Sequence, residues 1–144
     1  MTPVQQLSVF LENKAGRLSD VSATLKDNDI NIRALTIAES QNYGVLRMIV
    51  NRPEEALAVL RGAGFVVKKN PVLAVEVDDR EGILHDIVEL CGDAKLNVEY
   101  MYSFVEQVSG KAILFMRFEA TETAAKVFED KGFRLLSSEE VCLI

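Results

Sequence analysis

The chain contains little of what most catalytic and metal sites require. Its 144 residues include one histidine, two cysteines and no tryptophan. Cys91 and Cys142 lie far apart in apolar stretches without metal-ligand spacing, so we expect two reduced, buried thiols. No glycine-rich phosphate loop, nucleophile–base pair or metal-ligand cluster is visible. These absences predict a protein that is not an enzyme and that holds no metal and no cofactor.

Long apolar runs are missing as well. No run approaches the roughly 20 residues that span a bilayer, and the first residues lack the basic and apolar regions of a signal peptide. We therefore expect a cytoplasmic protein without a membrane partner. Hydrophobic residues at 49% and charged residues at 26% predict a packed globular core.

Positive charge is scarce and unevenly placed. The net charge of −6 argues against a nucleic-acid partner, because phosphate binding relies on clustered Lys and Arg. Residues 1–70 carry 9 basic and 7 acidic side chains, whereas residues 71–144 carry 7 and 15. The two halves are expected to have different electrostatic roles.

An internal repeat accounts for most of the sequence. Four pairs of residues recur at separations of 66 to 68 residues, namely Gly16 and Gly82, Asn31 and Asn97, Gly44 and Gly110, and Gly64 and Gly132. A repeat of this length is a whole small domain and not a solenoid unit. We predict one domain over residues 1–69 and a second over residues 70–144.

Each copy shows the same succession of patterns. The first has an apolar strand at 7–11, a helix, a strand at about 30–40, a hairpin turn at 41–44, a returning strand at 45–50, a helix opening at Pro53 and a strand at 65–67. The second repeats this plan with a hairpin turn at 107–110. The fold class is therefore α+β, with two ferredoxin-like βαββαβ units packed side by side and the helices on one face of antiparallel sheets. Residues 68–71 lead almost directly from one strand to the next.

Strict alternation predicts which side chains of the second strands face the helices. Counting by twos from Ile32 places Ala34, Thr36 and Ala38 toward the helices, and Arg33, Leu35, Ile37 and Glu39 away from them. The same count places Val98, Tyr100, Tyr102 and Phe104 in the second core, and Glu99, Met101, Ser103 and Val105 outside. The outer rows mix charged with apolar residues, which predicts partial cover by the other unit or by a second chain and favours a homodimer.

The loop of residues 12–18, followed after one helix by Asn31-Ile32, resembles the signature of ACT domains, as do residues 78–84 with Asn97-Val98. The resemblance extends over nearly the whole chain, twice. It implies pairing of domains through their sheets and binding of an amino acid between domains, usually to regulate a metabolic enzyme. No catalytic domain accompanies the two copies, so the chain looks like a free-standing tandem ACT regulatory protein.

The loops supply the candidate ligand-binding residues. A helix N-terminus offers unpaired amide N–H groups and a positive dipole end to a ligand carboxylate, and glycine lets the backbone approach. The candidates are Asn13, Lys14, Ala15, Gly16, Arg17, Leu18, Asn31 and Ile32 in the first copy, and Asp79, Glu81, Gly82, Ile83, Leu84, Asn97 and Val98 in the second. We call the openings in front of the two helix-starting loops the first and the second mouth. Lys14 and Arg17 predict that the first mouth favours an anion, whereas the acidic residues 78, 79, 81 and 86 predict that the second mouth favours a cation. Asp79 stands where the first copy has Asn13, which puts the equivalence of the two sites in doubt.

Each of these residues also has a purely structural interpretation. Gly16 and Gly82 satisfy a tight turn equally well, and Asn31 and Asn97 suit helix-to-strand turns. His85 is expected at the surface, with a ligand contact as the alternative. The aromatic row at 100, 102 and 104 is expected in the core, with a stacking platform as the alternative.

Three functions therefore remain in competition. The first is a regulatory protein that binds an amino acid and modulates amino-acid metabolism. The second is an interaction or assembly module with a vestigial ligand site, and the third is a small enzyme that uses Asp79 and Glu81 as acid and base.

Overall fold

The computed structural model describes residues 3–12, 14–39, 42–105 and 110–143. The strands are β1 Val4–Glu12, β2 Ile32–Glu39, β3 Tyr43–Val50, β4 Val66–Asp78, β5 Val98–Val105, β6 Lys111–Phe118 and β7 Arg134–Leu135. The helices are α1 Arg17–Asp27, α2 Pro53–Gly62, α3 Ile83–Asp93, α4 Thr121–Asp130 and α5 Ser138–Cys142. The predicted α+β class with two ferredoxin-like units is confirmed.

The chain divides into two compact units. Gln5–Asn70 and Cys142–Ile144 form the first unit, and Pro71–Val141 and Met1–Val4 form the second. Strand β4 runs through the division between Asn70 and Pro71 without a break. The passage expected between two separate strands at 68–71 is thus the middle of one 13-residue strand. Pro71 has no N–H to donate there, and its carbonyl oxygen accepts a hydrogen bond from Arg117 Nη1 at 3.0 Å.

The first unit has the strand order β2-β3-β1-β4. Strands β1 and β3 are antiparallel, with Leu7 opposite Met48 and Val9 opposite Leu46. Helices α1 and α2 place Val21, Leu25 and Leu60 against this face of the sheet, and all three are almost fully buried. These side chains form the apolar layer between the sheet and the two helices.

The second unit has the order β5-β6-β4, with β7 on the other side of β4. Its core is more aromatic than that of the first unit. Phe128 of α4 is fully buried, and its ring centroid lies 6.1 Å from that of Phe118 and 5.7 Å from that of Phe133. Helix α3 adds Ile87 and Cys91 to the same cluster.

The end of the second copy departs from the repeated plan. Strand β7 has only two residues, and a short helix, α5, follows it. Ser137 and Glu140 form a capping box, since the Glu140 N–H donates to Ser137 Oγ and the Ser137 N–H donates to Glu140 Oε1, each at 3.2 Å. The hydrogen bond from the Ser137 backbone lowers the pKa of Glu140, with help from Arg134.

An extra residue in β2 overturns the predicted facing of that strand. Ile32 lies opposite Val50, but Ala34 lies opposite Ile49, so Arg33 forms a β-bulge. Beyond the bulge, Leu35 lies opposite Met48 and Ile37 opposite Leu46, and directly opposed residues share a face. The prediction was therefore wrong for this strand: Leu35 and Ile37 are on the helix face, and Ala34, Thr36 and Ala38 are on the other.

The same irregularity recurs in β5, at the matching position. Val98 lies opposite Phe118 and Tyr100 opposite Arg117, which leaves Glu99 as the extra residue. As a result Met101 and Ser103 face the helices, opposite Met116 and Leu114. The aromatic row of Tyr100, Tyr102 and Phe104 lies on the opposite face, where the Tyr102 ring is 5.3 Å from that of Phe115. Its predicted place in the core was wrong, and the side chain of Val105 lies outside the described residues.

Candidate functional site

Both first helices begin at a glycine in the left-handed region. Gly16 precedes α1 with φ +91°, and Gly82 precedes α3 with φ +81°. A side chain at such φ values is strained, which is why glycine occupies both turns. No side chain of the described residues caps either helix. A Cβ placed on Gly16 would meet no atom within 4 Å, so the space in front of the α1 amides is open.

A cleft of about 180 Å³ opens beside the Gly16 turn. Its lining residues are Leu11, Glu12, Lys14, Arg17, Leu18, Ile37, Glu39 and Gly44. The structure thus brings together three predicted residues, Lys14, Arg17 and Leu18, and adds Ile37 and Glu39, which sequence reasoning missed. Ile37 reaches the cleft because the bulge at Arg33 turns it toward the helices. We call this space the first cleft.

The first cleft carries charge of both signs. Lys14 Nζ lies 3.3 Å from Glu12 Oε2, and Arg17 Nη1 lies 3.3 Å from Asp20 Oδ2. The Arg17 guanidinium also stacks over Phe65, with Cζ 4.8 Å from the ring centroid. These pairs offset much of the positive excess predicted for this mouth. Glu39 adds a carboxylate at the rim, so both an ammonium and a carboxylate of a ligand would find a partner here.

A second cleft, of about 280 Å³, lies near the start of α3. Its lining residues are Glu76, Val77, Asp78, Arg80, Ile83, Lys111, Gly132, Phe133 and Arg134. Three cations and two carboxylates thus line this cleft, whereas Asp79 and Glu81 are exposed and not part of the lining. The charges form ion pairs between Asp78 and Lys111, between Glu76 and Arg134, and between Arg80 and Asp86.

The ion pair of Asp78 and Lys111 shifts the pKa of both groups away from its ordinary value. Its hydrogen bond lowers the pKa of Asp78 and raises the pKa of Lys111. Both side chains are therefore held in their charged forms over a wider pH range than usual. Charges that line the second cleft are thus held in ion pairs, as Lys14 and Arg17 are in the first cleft.

Several candidate residues lie away from these clefts within their units. Asn31 and Ile32 lie beyond the other end of α1, about 16 Å from Gly16 for an 11-residue helix. Asn31 is engaged there, because its N–H donates to Asn51 Oδ1 at 2.9 Å and its carbonyl accepts from the Asn51 N–H at 3.1 Å. Asn97 and Val98 lie in the same relation to Gly82, beyond α3.

The remaining candidates lie beside the turns. Ala15 is exposed, and Leu18 and Leu84, in the first turns of α1 and α3, are 44% and 54% exposed. Asn13 lies outside the described residues. His85 is exposed and its Nε2 lies 2.8 Å from Glu89 Oε2, as expected for a surface residue.

The described ranges hold neither a group of metal ligands nor a membrane-spanning helix. No three His, Cys, Asp or Glu residues within them are grouped so that they could hold a metal ion. No helix within them has the length and apolar character needed to cross a membrane.

The sequence as a whole matches the ACT domain pair family, from residue 1 to residue 144. The chain belongs to this family. A crystal structure of a Bacteroides thetaiotaomicron protein is similar to it over 99% of this chain and 98% of that one, with 31% identity and a TM-score of 0.93. The resemblance inferred from the two loops is thereby confirmed. No curated protein sequence matches the chain.

More distant ACT pairs share the fold. The regulatory subunits of aspartate kinase from Thermus thermophilus, in ligand-free form, and from Thermus flavus are each 13% identical, with TM-scores of 0.65 and 0.64. Each comparison covers 90% of this chain and 93% of the other. The two ACT units account for all 144 residues, and these similar chains are regulatory subunits and not catalytic domains.

Proposed function

We propose that this ACT pair is a regulatory protein that binds an amino acid in the first cleft and thereby modulates an enzyme of amino-acid metabolism. The observation that carries the proposal is the open Gly16 turn, where uncapped amides at a helix start adjoin side chains of both charges. The amides and the dipole of α1 suit the ligand carboxylate, and Glu39 suits its ammonium. Leu18 and Ile37 would contact an apolar side chain.

The second copy differs enough to suggest a separate task. At its helix start, Arg80 Nη1 lies 3.8 Å from the position that a Cβ on Gly82 would take, whereas the same position on Gly16 is open. We propose that the first copy, predicted over residues 1–69, binds more tightly than the second, over residues 70–144. The exposed leucines at 18 and 84 support an assembly with a second copy of the chain or with the regulated enzyme.

A ligand screen with matched glycine variants tests the proposal. Thermal unfolding would be followed with each of the twenty amino acids, because a ligand that binds only the folded state raises the melting temperature. Gly16→Asp adds a carboxylate in front of the amides and should abolish the shift caused by a ligand of the first cleft. Gly64→Asp is the control, since Gly64 has φ +92° and open space around its Cβ position but follows the end of α2 and does not precede the amides of α1.

The outcomes separate clearly. Stabilisation of the native protein and of Gly64→Asp, but not of Gly16→Asp, supports the proposed site. Absence of stabilisation by every amino acid would overturn it. Equilibrium sedimentation tests the homodimer, which a single 16.0 kDa species at high concentration would exclude.

A further inference from the structure

The largest of the clefts described lies in the second unit, away from both helix-opening glycines. It has a volume of about 400 Å³, within the range typical of small-molecule sites. Its lining residues are Pro3, Pro71, Leu73, Thr121, Glu122, Ala125, Lys126 and Glu129. All eight belong to the same compact unit. We call this space the α4 cleft.

One lining position of the α4 cleft differs in size between the two copies. Helices α2 and α4 match at a separation of 68 residues, so that Ala56 corresponds to Ala124 and both are fully buried. The next position is Leu57 in α2, a core residue of the first unit that is only 9% exposed. In α4 this position is Ala125, which is three carbon atoms smaller. The second unit therefore has the smaller side chain at this position, where it lines the cleft.

The walls of the α4 cleft are divided by polarity. Its floor is apolar and consists of Pro3, Pro71, Leu73 and Ala125. Its rim carries Glu122, Lys126 and Glu129, which share one face of α4 at spacings of four and three residues. Within the described part of the chain, none of these three side chains makes an ion pair or a hydrogen bond. The rim therefore offers one cation between two carboxylates above an apolar floor.

We propose that the α4 cleft is a second ligand site, which takes a small zwitterion with an apolar side chain. Lys126 would bind the carboxylate of the ligand, Glu122 or Glu129 its ammonium, and the floor its branched or aromatic side chain. A fatty acid or a simple amine of the same size supplies only one of the two charges. The site shares no lining residue with the first cleft, so it does not depend on ligand binding at Gly16.

Calorimetric titration with defined probes tests this site. L-leucine and L-phenylalanine should bind, whereas 4-methylpentanoate and isopentylamine, which each lack one charged group of leucine, should bind at least tenfold more weakly. Ala125→Leu fills the floor as Leu57 does in the first unit, and it should weaken binding of L-leucine at least tenfold without loss of stability. Thr123→Leu is the control, because it adds the same side chain at an exposed position outside the lining.

Two further variants distinguish this site from the first cleft and from a purely apolar pocket. Lys126→Glu should weaken L-leucine at least tenfold and leave isopentylamine unchanged or more tightly bound. Gly16→Asp should leave binding of L-leucine at the α4 cleft intact. The proposal is overturned if neither zwitterion binds the native protein, if Ala125→Leu binds L-leucine normally, or if Gly16→Asp alone removes the binding.

Discussion

Substitution of glycine by alanine should have opposite effects on stability at the two ends of α3. Gly82 precedes the helix at φ +81°, whereas Gly92 lies within its last turn and has no positive φ. Alanine at 82 should cost about 1–2 kcal/mol of unfolding free energy, because the left-handed region is unfavourable for any residue with a Cβ. Its Cβ would meet only Arg80 Nη1, at an ordinary 3.8 Å, so crowding adds nothing.

Alanine at 92 should have the opposite sign. Helical glycine is less favourable than alanine by up to about 1 kcal/mol, and a Cβ there would meet no atom within 4 Å. Gly92→Ala should thus be stabilising, and the two variants should differ by about 2 kcal/mol. Gly16→Ala and Gly62→Ala provide the same contrast in the first unit, on α1 and α2.

Urea denaturation followed by circular dichroism measures this difference. The midpoint should fall for Gly82→Ala and rise for Gly92→Ala, with unchanged slopes. Equal midpoint shifts of the same sign would show that backbone conformation does not decide the effect of alanine at these two positions. The left-handed conformation would then not explain why glycine occupies the start of the helix.

Three other predictions concern the second unit and α5. Phe128→Ala should cost about 3–5 kcal/mol of unfolding free energy, since its fully buried ring contacts two other aromatic rings. Because the pKa of Glu140 is lowered in the folded state, this carboxylate stabilises the fold above the ordinary glutamate pKa, and the stabilisation is lost as the pH falls through the lowered value. The stability difference between the native protein and Glu140→Gln should therefore shrink on acidification. Urea midpoints of both proteins at neutral and at acidic pH measure this difference. Burial raises the pKa of the Cys91 thiol, so a disulfide reagent should label the partly exposed Cys142 first and Cys91 only on unfolding.

The order of elements was predictable because its signals are local. The repeated glycines, the helical spacing of Val21 and Leu25 and the proline at the start of α2 each act over a few residues, and each agrees with the structure. The helix-capping pair Ser137 and Glu140 was equally readable, and attention to it would have predicted α5.

The facing of β2 and β5 was not predictable by alternation, because one inserted residue reverses every position after it. The only signal in the sequence is a charged residue, Arg33 or Glu99, directly after the first apolar residue of each strand. The pairing of charges near the two loops was not predictable either, since ion pairs such as Asp78 with Lys111 join residues distant in sequence.

The paired bulges make the chain tolerant of one particular change of length. Loss of Glu99 would leave Val98 opposite Phe118 and Tyr100 opposite Arg117 in an ordinary ladder, so the later side chains of the strand would keep their faces. Loss of Arg33 would have the same effect between Ile32 and Ala34. Single-codon deletions at these two points should therefore be far less damaging than deletions of a later residue in either strand, which would reverse the facing of the residues beyond it.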